Sequence, residues 1–408
     1  MPTIPGLAAA AETASADRPA WAPMLAYVAD LHGRSVREDT HGIFPHPWEE
    51  IGPGYCYGPA FGHWDIVHQC HDTVLGSPGH AQRQLENTLA LQQDDGRMPP
   101  IFRLLDGKPD LHNPRTSHPP VWALLVERLV EAGVDPAIRR RYLPHAVKQL
   151  GWFDANRRTE EGLYGYADLT LEGSFESGVD DGVRFLDGPT DRLVPFVDAS
   201  SHAWLLMDAV ARWGDGERAA EARRRADTLA ERIRGELWHD GLGLFVDGFR
   251  TEEENPPMAL EGMWPLVLGI ASAEQADRFI DGWLLDPDAF FGVHPCRTVA
   301  RKSIGYEMRM WRGPAWNSMT FWACSGCVRY GRHDAAARIL ERALDDSAAH
   351  FDRTGTIFEF YHPDGDAPES VARKPYAEDA ANQPCPDYLG HNPMIAMADL
   401  WQRVRSGR

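Results

Sequence analysis

The sequence has no run of about 18 uncharged apolar residues, the minimum for a helix that crosses a bilayer. Its alanine-rich residues 1–20 also lack the basic start and the sustained apolar segment of a secretory signal peptide. Basic residues are few: 41 lysines and arginines stand against 60 acidic residues, and the net charge is −19. Because nucleic acids and anionic membranes bind positive surfaces, we expect neither as a partner, and we predict a cytoplasmic protein.

Cysteine is sparse as well, with six residues scattered over 408 positions, too few for a disulfide framework in a chain of this length. Cys324 and Cys327 are close in sequence, but they lie in an apolar helical pattern that favours small buried side chains over redox or metal chemistry. His68 and His71 would share one face of a helix, yet the sequence shows no further ligands beside them. We therefore expect no metal and no cofactor.

Strand-like alternation is confined to short pieces such as 243–247, whereas helical periodicity recurs along the chain and predicts twelve helices. The odd-numbered helices are charged on one face, and the even-numbered ones carry almost no charge. This alternation is typical of an outer and an inner layer. The helices are predicted over about 22–33, 62–76, 79–93, 119–133, 137–156, 200–213, 217–237, 258–269, 274–284, 314–331, 333–350 and 391–405.

The connections between these helices alternate in length. Those that leave an even-numbered helix are tight turns, and those that lead to one are long, for example 157–199 and 351–390. In a closed ring the long connections would share one face, and long loops on a rigid scaffold often carry function. The sequence thus predicts an all-α (α/α)6 barrel with an active-site cup, as a single domain over 21–408 after a poorly ordered tail over 1–20. An irregular helical bundle or solenoid is the alternative.

The loop 172–185 crowds four carboxylates and three glycines around Asp180. Because apolar Phe175, Val179 and Phe185 are its neighbours, Asp180 could stay protonated near neutral pH and serve as a general acid. A solvated acidic turn is the alternative interpretation, since aspartate and glycine favour turns by themselves.

The other long connections contain tryptophans and tyrosines beside carboxylates, histidines and arginines. Such mixtures bind sugars, because an aromatic ring stacks on the apolar face of a sugar while charged groups hydrogen-bond to its hydroxyls. We therefore predict a small carbohydrate as the ligand. Two of the candidates, Trp264 and Trp316, could equally be core residues. The candidate binding residues are Trp64, Asp65, His118, Arg184, Trp264, Trp311, Arg312, Trp316 and Tyr361.

Three segments resemble motifs of one enzyme family. Phe175-Glu-Ser-Gly-Val-Asp-Asp-Gly-Val-Arg184 is similar to the Glu-Ser-Gly-Met-Asp-Asn-Ser-Pro-Arg loop of glycoside hydrolase family 63 and its bacterial relatives, the glucosylglycerate and mannosylglycerate hydrolases. Trp311-Arg-Gly-Pro-Ala-Trp316 and Phe358-Glu-Phe-Tyr-His-Pro363 resemble two more of its motifs. The resemblance implies an (α/α)6 barrel and inversion at the anomeric carbon. It also implies Asp180 as general acid and Glu359 as general base, with a sugar subsite lined by Trp64, Asp65, Trp311, Arg312 and Trp316.

The chain also departs from the family in three places. Asp181-Gly-Val183 replaces Asn-Ser-Pro and adds a charge beside Asp180, and 366–390 form a longer final loop. Leu389-Gly-His-Asn-Pro393 stands where a tryptophan-containing turn is usual. The departures leave the leaving group open, and with it the choice between Asp180 and Asp181 as the acid.

We predict an inverting α-glycosidase that hydrolyses a small α-linked glucoside or mannoside, of the disaccharide or glycosyl-glycerate type. A sugar isomerase or epimerase of the N-acylglucosamine-epimerase-like barrel type is one alternative, for which His118 and His202 would supply paired histidines. A non-catalytic sugar-binding barrel is the other. Basic residues in 297–302 could bind an acidic leaving group, although a solvated basic run is an equal interpretation. The sequence leaves open the sugar, the linkage and whether the chain forms a homo-oligomer.

Overall fold

Helices form most of the protein, whose computed structural model describes residues 3–111, 113–374 and 382–407. A turn of 3-10 helix, Leu260–Met263, leads into a short α-helix at Trp264–Val267, and a π-helical turn, Ile280–Leu284, extends the α-helix at Ala273–Phe279. The α-helices within the described residues are α1 (Leu7–Ser15), α2 (Ala22–Arg34), α3 (His63–Gly76), α4 (Pro78–Ala90), α5 (Trp122–Glu131), α6 (Ile138–Asn156), α7 (Val197–Trp213), α8 (Gly216–Glu236), α9 (Trp264–Val267), α10 (Ala273–Phe279), α11 (Asn317–Arg329), α12 (His333–Thr354) and α13 (Met394–Ser406).

Short antiparallel strands lie in the connections between the helices. They pair as β1 with β2, as a sheet in the order β3-β4-β5, and as β6 with β7. Phe61 pairs with Phe102, so the sheet joins the first long connection to the second. The strands are β1 (Val36–Arg37), β2 (Trp48–Glu49), β3 (Ala60–Gly62), β4 (Ile101–Leu105), β5 (Lys108–Leu111), β6 (Trp238–His239) and β7 (Leu244–Phe245).

The twelve helices predicted from periodicity are all present, and most of their ends shift by only a few residues. The largest difference lies at 258–269, where only α9 is α-helical. Pro265 has no N–H with which to continue an α-helical ladder from Glu261, and the segment before it winds as a 3-10 helix. Gly262 also packs so closely on the Phe245 carbonyl that a Cβ there would lie 2.4 Å from its oxygen.

The prediction of a poorly ordered tail over 1–20 is wrong for the part of it that the structure describes. Residues 7–15 form α1, which packs on α2, α3 and α13 and buries Leu7, Ala11 and Ala14. At Gly6, in the left-handed region with φ of 82°, a Cβ would lie 2.3 Å from the Gly76 carbonyl oxygen. The tail therefore docks against the end of α3 through an apolar face made largely of alanine.

Six helices of low charge contact one another in order along the chain. The contacts join α3 to α5, α5 to α7, α7 to α9, α9 to α11, α11 to α13, and α13 back to α3. α7 carries few charges and is buried along almost its whole length, whereas its neighbour α8 is rich in charged residues and buries only one face. The alternation of burial predicted from charge is thus confirmed for this pair. None of the helices in the described ranges is long and apolar enough to cross a membrane.

The long connections are tied to one another by backbone pairing. Isolated bridges join Ala259 to Val299, Arg297 to Ala315, Ala315 to Tyr361, and Phe358 to Pro386. Glu359 lies between the last two of these bridges, and its N–H donates to the Cys385 carbonyl over 2.9 Å. The carboxylate of the third motif is therefore held in a paired segment rather than in a free loop.

Candidate active site

A cavity of about 260 Å³ opens among the long connections. Its wall combines aromatic rings, three carboxylates and three cationic side chains. The lining residues include Tyr55, Tyr57, Trp64, Asp65, Arg103, His118, Phe175, Gly178, Asp180, Trp311, Trp316, Glu359, Arg373, Lys374, Tyr388 and His391.

Seven of the eleven residues predicted for the site line this one cavity. They come from the first turn of α3 and from four different connections, including all three motifs of the family resemblance. The roles assigned to them stay predictions, but the structure brings the two carboxylates predicted as acid and base together in a single small space. The seven are Asp180, Glu359, Trp64, Asp65, His118, Trp311 and Trp316.

Indole rings form one wall of the cavity. Trp311 stacks on Trp316 with ring centroids 3.8 Å apart and an interplanar angle of 6°, and Trp64 lies 5.9 Å from Trp311. The Trp316 Nε1–H donates to the Met310 carbonyl over 3.0 Å, which fixes the orientation of the pair. Flat, rigid rings of this kind offer the apolar surface on which a sugar ring stacks.

The loop that carries Asp180 is anchored through its motif residues. The buried Glu176 accepts a hydrogen bond from Arg157 Nε at 2.6 Å and others from the backbone N–H groups of Ser117 and Ala167. Gly178 has a φ of 78° and lies against Trp64, so that a Cβ there would come within 2.4 Å of the indole. Glycine is thus required at 178 by both conformation and space.

Asp181 points to a different partner from Asp180. Its carboxylate pairs with Arg309 and, over 2.9 Å, with Arg312 Nη2, while Arg312 Nε donates to the Asp181 carbonyl over 2.8 Å. The extra charge that the sequence places beside Asp180 is therefore neutralised by two arginines. Of the two aspartates, Asp180 is the one that lines the cavity.

The Glu359 carboxylate is held in a fork by Arg373. Arg373 Nε donates to Glu359 Oε2 over 2.7 Å and Nη2 donates to Oε1 over 3.0 Å. The backbone N–H of Cys385 adds a contact of 3.2 Å to Oε2. Both side chains of the ion pair are buried, at 3% and 2% exposure.

The Asp180 carboxylate meets a different cation. Lys374 Nζ donates to Asp180 Oδ2 over 2.5 Å, and the Asp180 side chain keeps 22% of its surface exposed. Neighbouring positions 373 and 374 thus supply one cation to each of the two carboxylates. Of the long final loop 366–390 that carries them, residues 375–381 lie outside the described residues.

Asp65 is the third carboxylate of the cavity. Burial raises the pKa of Asp65 to about 7. The hydrogen bond that the Tyr388 hydroxyl donates over 2.8 Å lowers this pKa and so offsets part of the effect of burial. Gly390 leaves room for it, since a Cβ at that position would lie 2.5 Å from Asp65 Oδ1. Asp65 is therefore poised to change its charge near neutral pH.

Four residues predicted to bind substrate do not line the cavity, and the structure places their side chains elsewhere. Arg184 is buried between Asp198 and Asp247, to which it donates over 2.8 and 2.9 Å. The side chain of Arg312 is turned to Asp181 behind the cavity.

The other two are core aromatics. Trp264 is 1% exposed and packs edge-on against His202, with ring centroids 4.4 Å apart. Tyr361 is equally buried and stacks on His294 at 4.6 Å. Tyr361 lies two positions from Glu359 in sequence, but its side chain turns into the core instead of the cavity.

The histidines predicted for the epimerase alternative are separated. His118 lines the cavity, whereas His202 is buried beside Trp264 and its Nδ1 is 2.8 Å from the Tyr166 hydroxyl. Burial lowers the pKa of His202 to about 3 and that of His118 well below its ordinary value. The two imidazoles therefore do not face one cavity as a proton-transfer pair.

The basic run at 297–302 is also outside the cavity wall in the described part of the chain. Arg297 is buried and pairs with Asp364 over 2.7 Å, and Lys302 pairs with Asp286 over 2.9 Å. Two cations of this run therefore have acidic partners of their own, and its binding of an acidic leaving group stays a prediction.

Among the lining residues that the sequence reasoning missed, four belong to one region of the chain. Arg373, Lys374, Tyr388 and His391 all lie in or next to the final loop, where the chain departs from the family pattern. A usable signal was present: two consecutive cations in a long connection of a strongly acidic protein. His391 takes the place of the usual tryptophan-containing turn and packs 4.5 Å from the Trp316 ring.

Comparisons with known proteins show which family and which folds the chain is similar to. The family model described as the mannosylglycerate hydrolase MGH1-like glycoside hydrolase domain matches residues 59–195 and 197–377. A solved structure of the GH63 mannosylglycerate hydrolase from Thermus thermophilus in complex with glucose superposes with a TM-score of 0.66 at 18% identity, covering 92% of this chain and 99% of that one. The neutral trehalase Nth1 from Saccharomyces cerevisiae superposes with a TM-score of 0.65 at 15% identity, covering 93% and 81%.

A curated relative is similar over a shorter stretch. The cytosolic neutral trehalase of Kluyveromyces lactis is 29% identical over 152 residues, which is 36% of this chain and 19% of that protein. The chain thus spans about a fifth of the length of this relative. The match of the family model covers well over half of the chain, and the resemblance drawn from the three motifs is confirmed: the chain belongs to the mannosylglycerate hydrolase MGH1-like family of glycoside hydrolase domains.

Proposed function

We propose that the protein is an inverting α-glycosidase that hydrolyses a small α-linked glucoside or mannoside, with Asp180 as general acid and Glu359 as general base. One observation carries the proposal: two carboxylates from separate loops share one small cavity walled by stacked tryptophans. An inverting glycosidase needs this pair, one acid for the leaving oxygen and one base for the attacking water.

The scaffold proposed for this chemistry is an (α/α)6 barrel formed as a single domain, with α1 docked on its outside. The order of contacts among the six buried helices, which returns from α13 to α3, supports a closed ring. The pairings among the long connections support a single cup above that ring.

In the proposed reaction, water attacks the anomeric carbon while the glycosidic C–O bond breaks. Asp180 gives its proton to the departing oxygen, and Glu359 takes a proton from the attacking water. Two carboxylates in these roles lie about 6.5–9.5 Å apart, which leaves room for the water, and we predict this separation in a crystal structure. Retaining enzymes place the two groups at about 5–5.5 Å.

The size of the cavity favours a small substrate. At about 260 Å³ it has room for one sugar ring and little more, so a disaccharide or a glycosyl-glycerate fits better than a polysaccharide. The relatives named above are enzymes of mannosylglycerate and trehalose, both small α-glycosides. From the cytosolic relative we also propose a cytoplasmic location, which fractionation of the source cells would test.

The experiment is incubation with a panel of α-linked disaccharides and sugar glycerates, followed by NMR. Release of a free sugar that is lost in both Asp180→Asn and Glu359→Gln supports the hydrolase. A new epimer without hydrolysis would support an epimerase, and saturable binding without turnover would support a sugar-binding barrel. Either of these last two outcomes overturns the proposal. The separation of His118 from His202 counts against the epimerase.

A further inference from the structure

We propose that Arg373 is a positioning residue for the general base, and that it selects Oε1 of Glu359 as the atom that receives the proton from water. The inference rests on the proposed function, in which Glu359 is the base. Its starting point is the buried fork from Arg373 Nε and Nη2 to the two oxygens of Glu359, over 2.7 and 3.0 Å.

The hydrogen bonds to Glu359 are unequally shared between its oxygens. Oε2 accepts from Arg373 Nε and from the N–H of Cys385, whereas Oε1 accepts from Arg373 Nη2. Each carboxylate oxygen offers about two lone-pair sites. Oε2 is therefore saturated, and Oε1 keeps one site for a water. The O–H bond of that water breaks as its oxygen joins the anomeric carbon, and the proton moves to Oε1.

Arg373 itself is fixed from several sides. Its backbone N–H donates to Asn382 Oδ1 over 2.8 Å, and the preceding carbonyl, of Ala372, accepts from the Met310 N–H over 3.0 Å. The guanidinium carbon lies 5.2 Å from the Tyr57 ring centroid, close enough for a cation–π contact. A guanidinium held in this way can set the plane of the Glu359 carboxylate.

Arginine suits this task for a geometric reason. Its planar, always charged guanidinium matches both oxygens of a carboxylate at once, and lysine, as a point charge, cannot. A lysine at 373 would keep the positive charge and lose the fork. Charge and orientation can therefore be separated by substitution.

The test compares Arg373→Ala and Arg373→Lys with the wild-type protein on the substrate found in the panel. We expect kcat to fall by roughly 10²-fold in the alanine variant and about tenfold in the lysine variant, with KM within about threefold, because orientation of the base matters in the transition state. Added guanidinium chloride at low, non-denaturing concentration should restore part of the kcat of Arg373→Ala. It should not restore Glu359→Gln.

Arg353→Ala is the matched control, because Arg353 pairs with Glu369 over 3.2 Å on the exposed surface. We expect wild-type kcat and no response to guanidinium from it. Since Arg373→Ala leaves a buried carboxylate without its partner and could fail to fold, Arg373→Lys and melting curves of all variants keep the test decisive. Wild-type kcat in a folded Arg373→Lys, or no rescue of a folded Arg373→Ala, overturns the inference. If Glu359→Gln is itself fully active, the proposed function fails instead.

Discussion

The two carboxylates predicted to be catalytic are held in different ways. We call Glu359 with its contacts the base end of the cavity, and Asp180 with its contacts the acid end. Glu359 is 2% exposed and is gripped by the two-pronged guanidinium of Arg373, whereas Asp180 is 22% exposed and meets the single ammonium group of Lys374. A guanidinium with two hydrogen bonds fixes the orientation of the carboxylate that it contacts. An ammonium on a flexible side chain sets no particular orientation of its carboxylate and can move away from it. The difference fits the proposed chemistry, in which the base must be aimed at one water and the acid must exchange protons in every cycle.

The largest effect should come from removing either carboxylate function. Asp180→Asn and Glu359→Gln should each lower kcat on the order of 10²-fold or more. Asp180→Asn should change the melting temperature little, whereas Glu359→Gln should also lower it, because it leaves the buried Arg373 without its charged partner. Asp181→Asn is the matched control for the acid end and should cost much less, since Asp181 faces Arg309 and Arg312. An essential Asp181 with a dispensable Asp180 would show that the acid end has been assigned to the wrong residue.

A backbone substitution in the loop that carries Asp180 should also lower activity. Gly178→Ala places a Cβ 2.4 Å from the Trp64 ring at a φ of 78°, so the loop or the indole must move. We expect kcat/KM to fall by about tenfold, together with a loss of about 1–3 kcal/mol in the free energy of unfolding. Gly173→Ala is the control, because Gly173 also has a positive φ of 64° but has no atom within contact of a Cβ. Equal losses of activity in both variants would contradict the role given to the contact with Trp64.

Replacing Lys374 should lower kcat less than replacing Arg373 does, because the acid end depends less on its cation than the base end. The Asp180 loop has its own anchors at Glu176, Gly178 and Asp181, so Lys374→Met should change kcat by less than about tenfold. Steady-state kinetics of the two variants side by side give the measurement. A loss in Lys374→Met as deep as that in Arg373→Ala would mean that the two ends depend equally on their cations.

The smallest effect concerns stability rather than rate. The pKa of Asp65 is raised by burial to about 7, against an unfolded value near 3.8. The unfolded chain therefore loses this proton at lower pH than the folded chain, and the folded state is progressively penalised between about pH 4 and pH 7. Asp65→Asn removes that penalty, so its melting temperature relative to wild type should rise by a few degrees over this interval and then level off. A difference that does not vary with pH would contradict the shifted pKa.

The helices and the acid and base loops could be predicted because their signals are local. Periodicity and charge placed twelve helices, and three motifs pointed to 180, 311 and 359. The side chains of Arg184 and Tyr361 were mispredicted because a position in a loop does not say which way the side chain turns; both turn into buried networks. Arg373 and Lys374 were missed because no periodic pattern marks an irregular connection. The spacing of 14 residues from Arg373 to Glu359 signals no contact, and the partner of Lys374, Asp180, lies on another loop.

The anomeric configuration of the first sugar released is the most direct test of the inverting mechanism. Rapid NMR of the reaction on an α-linked substrate whose leaving group has no anomeric carbon of its own, such as a glycosyl-glycerate, should show the β anomer before mutarotation equilibrates the product, because the base end delivers water to the face opposite the departing oxygen. An α anomer formed first would contradict the assignment of Asp180 and Glu359 as an inverting acid and base.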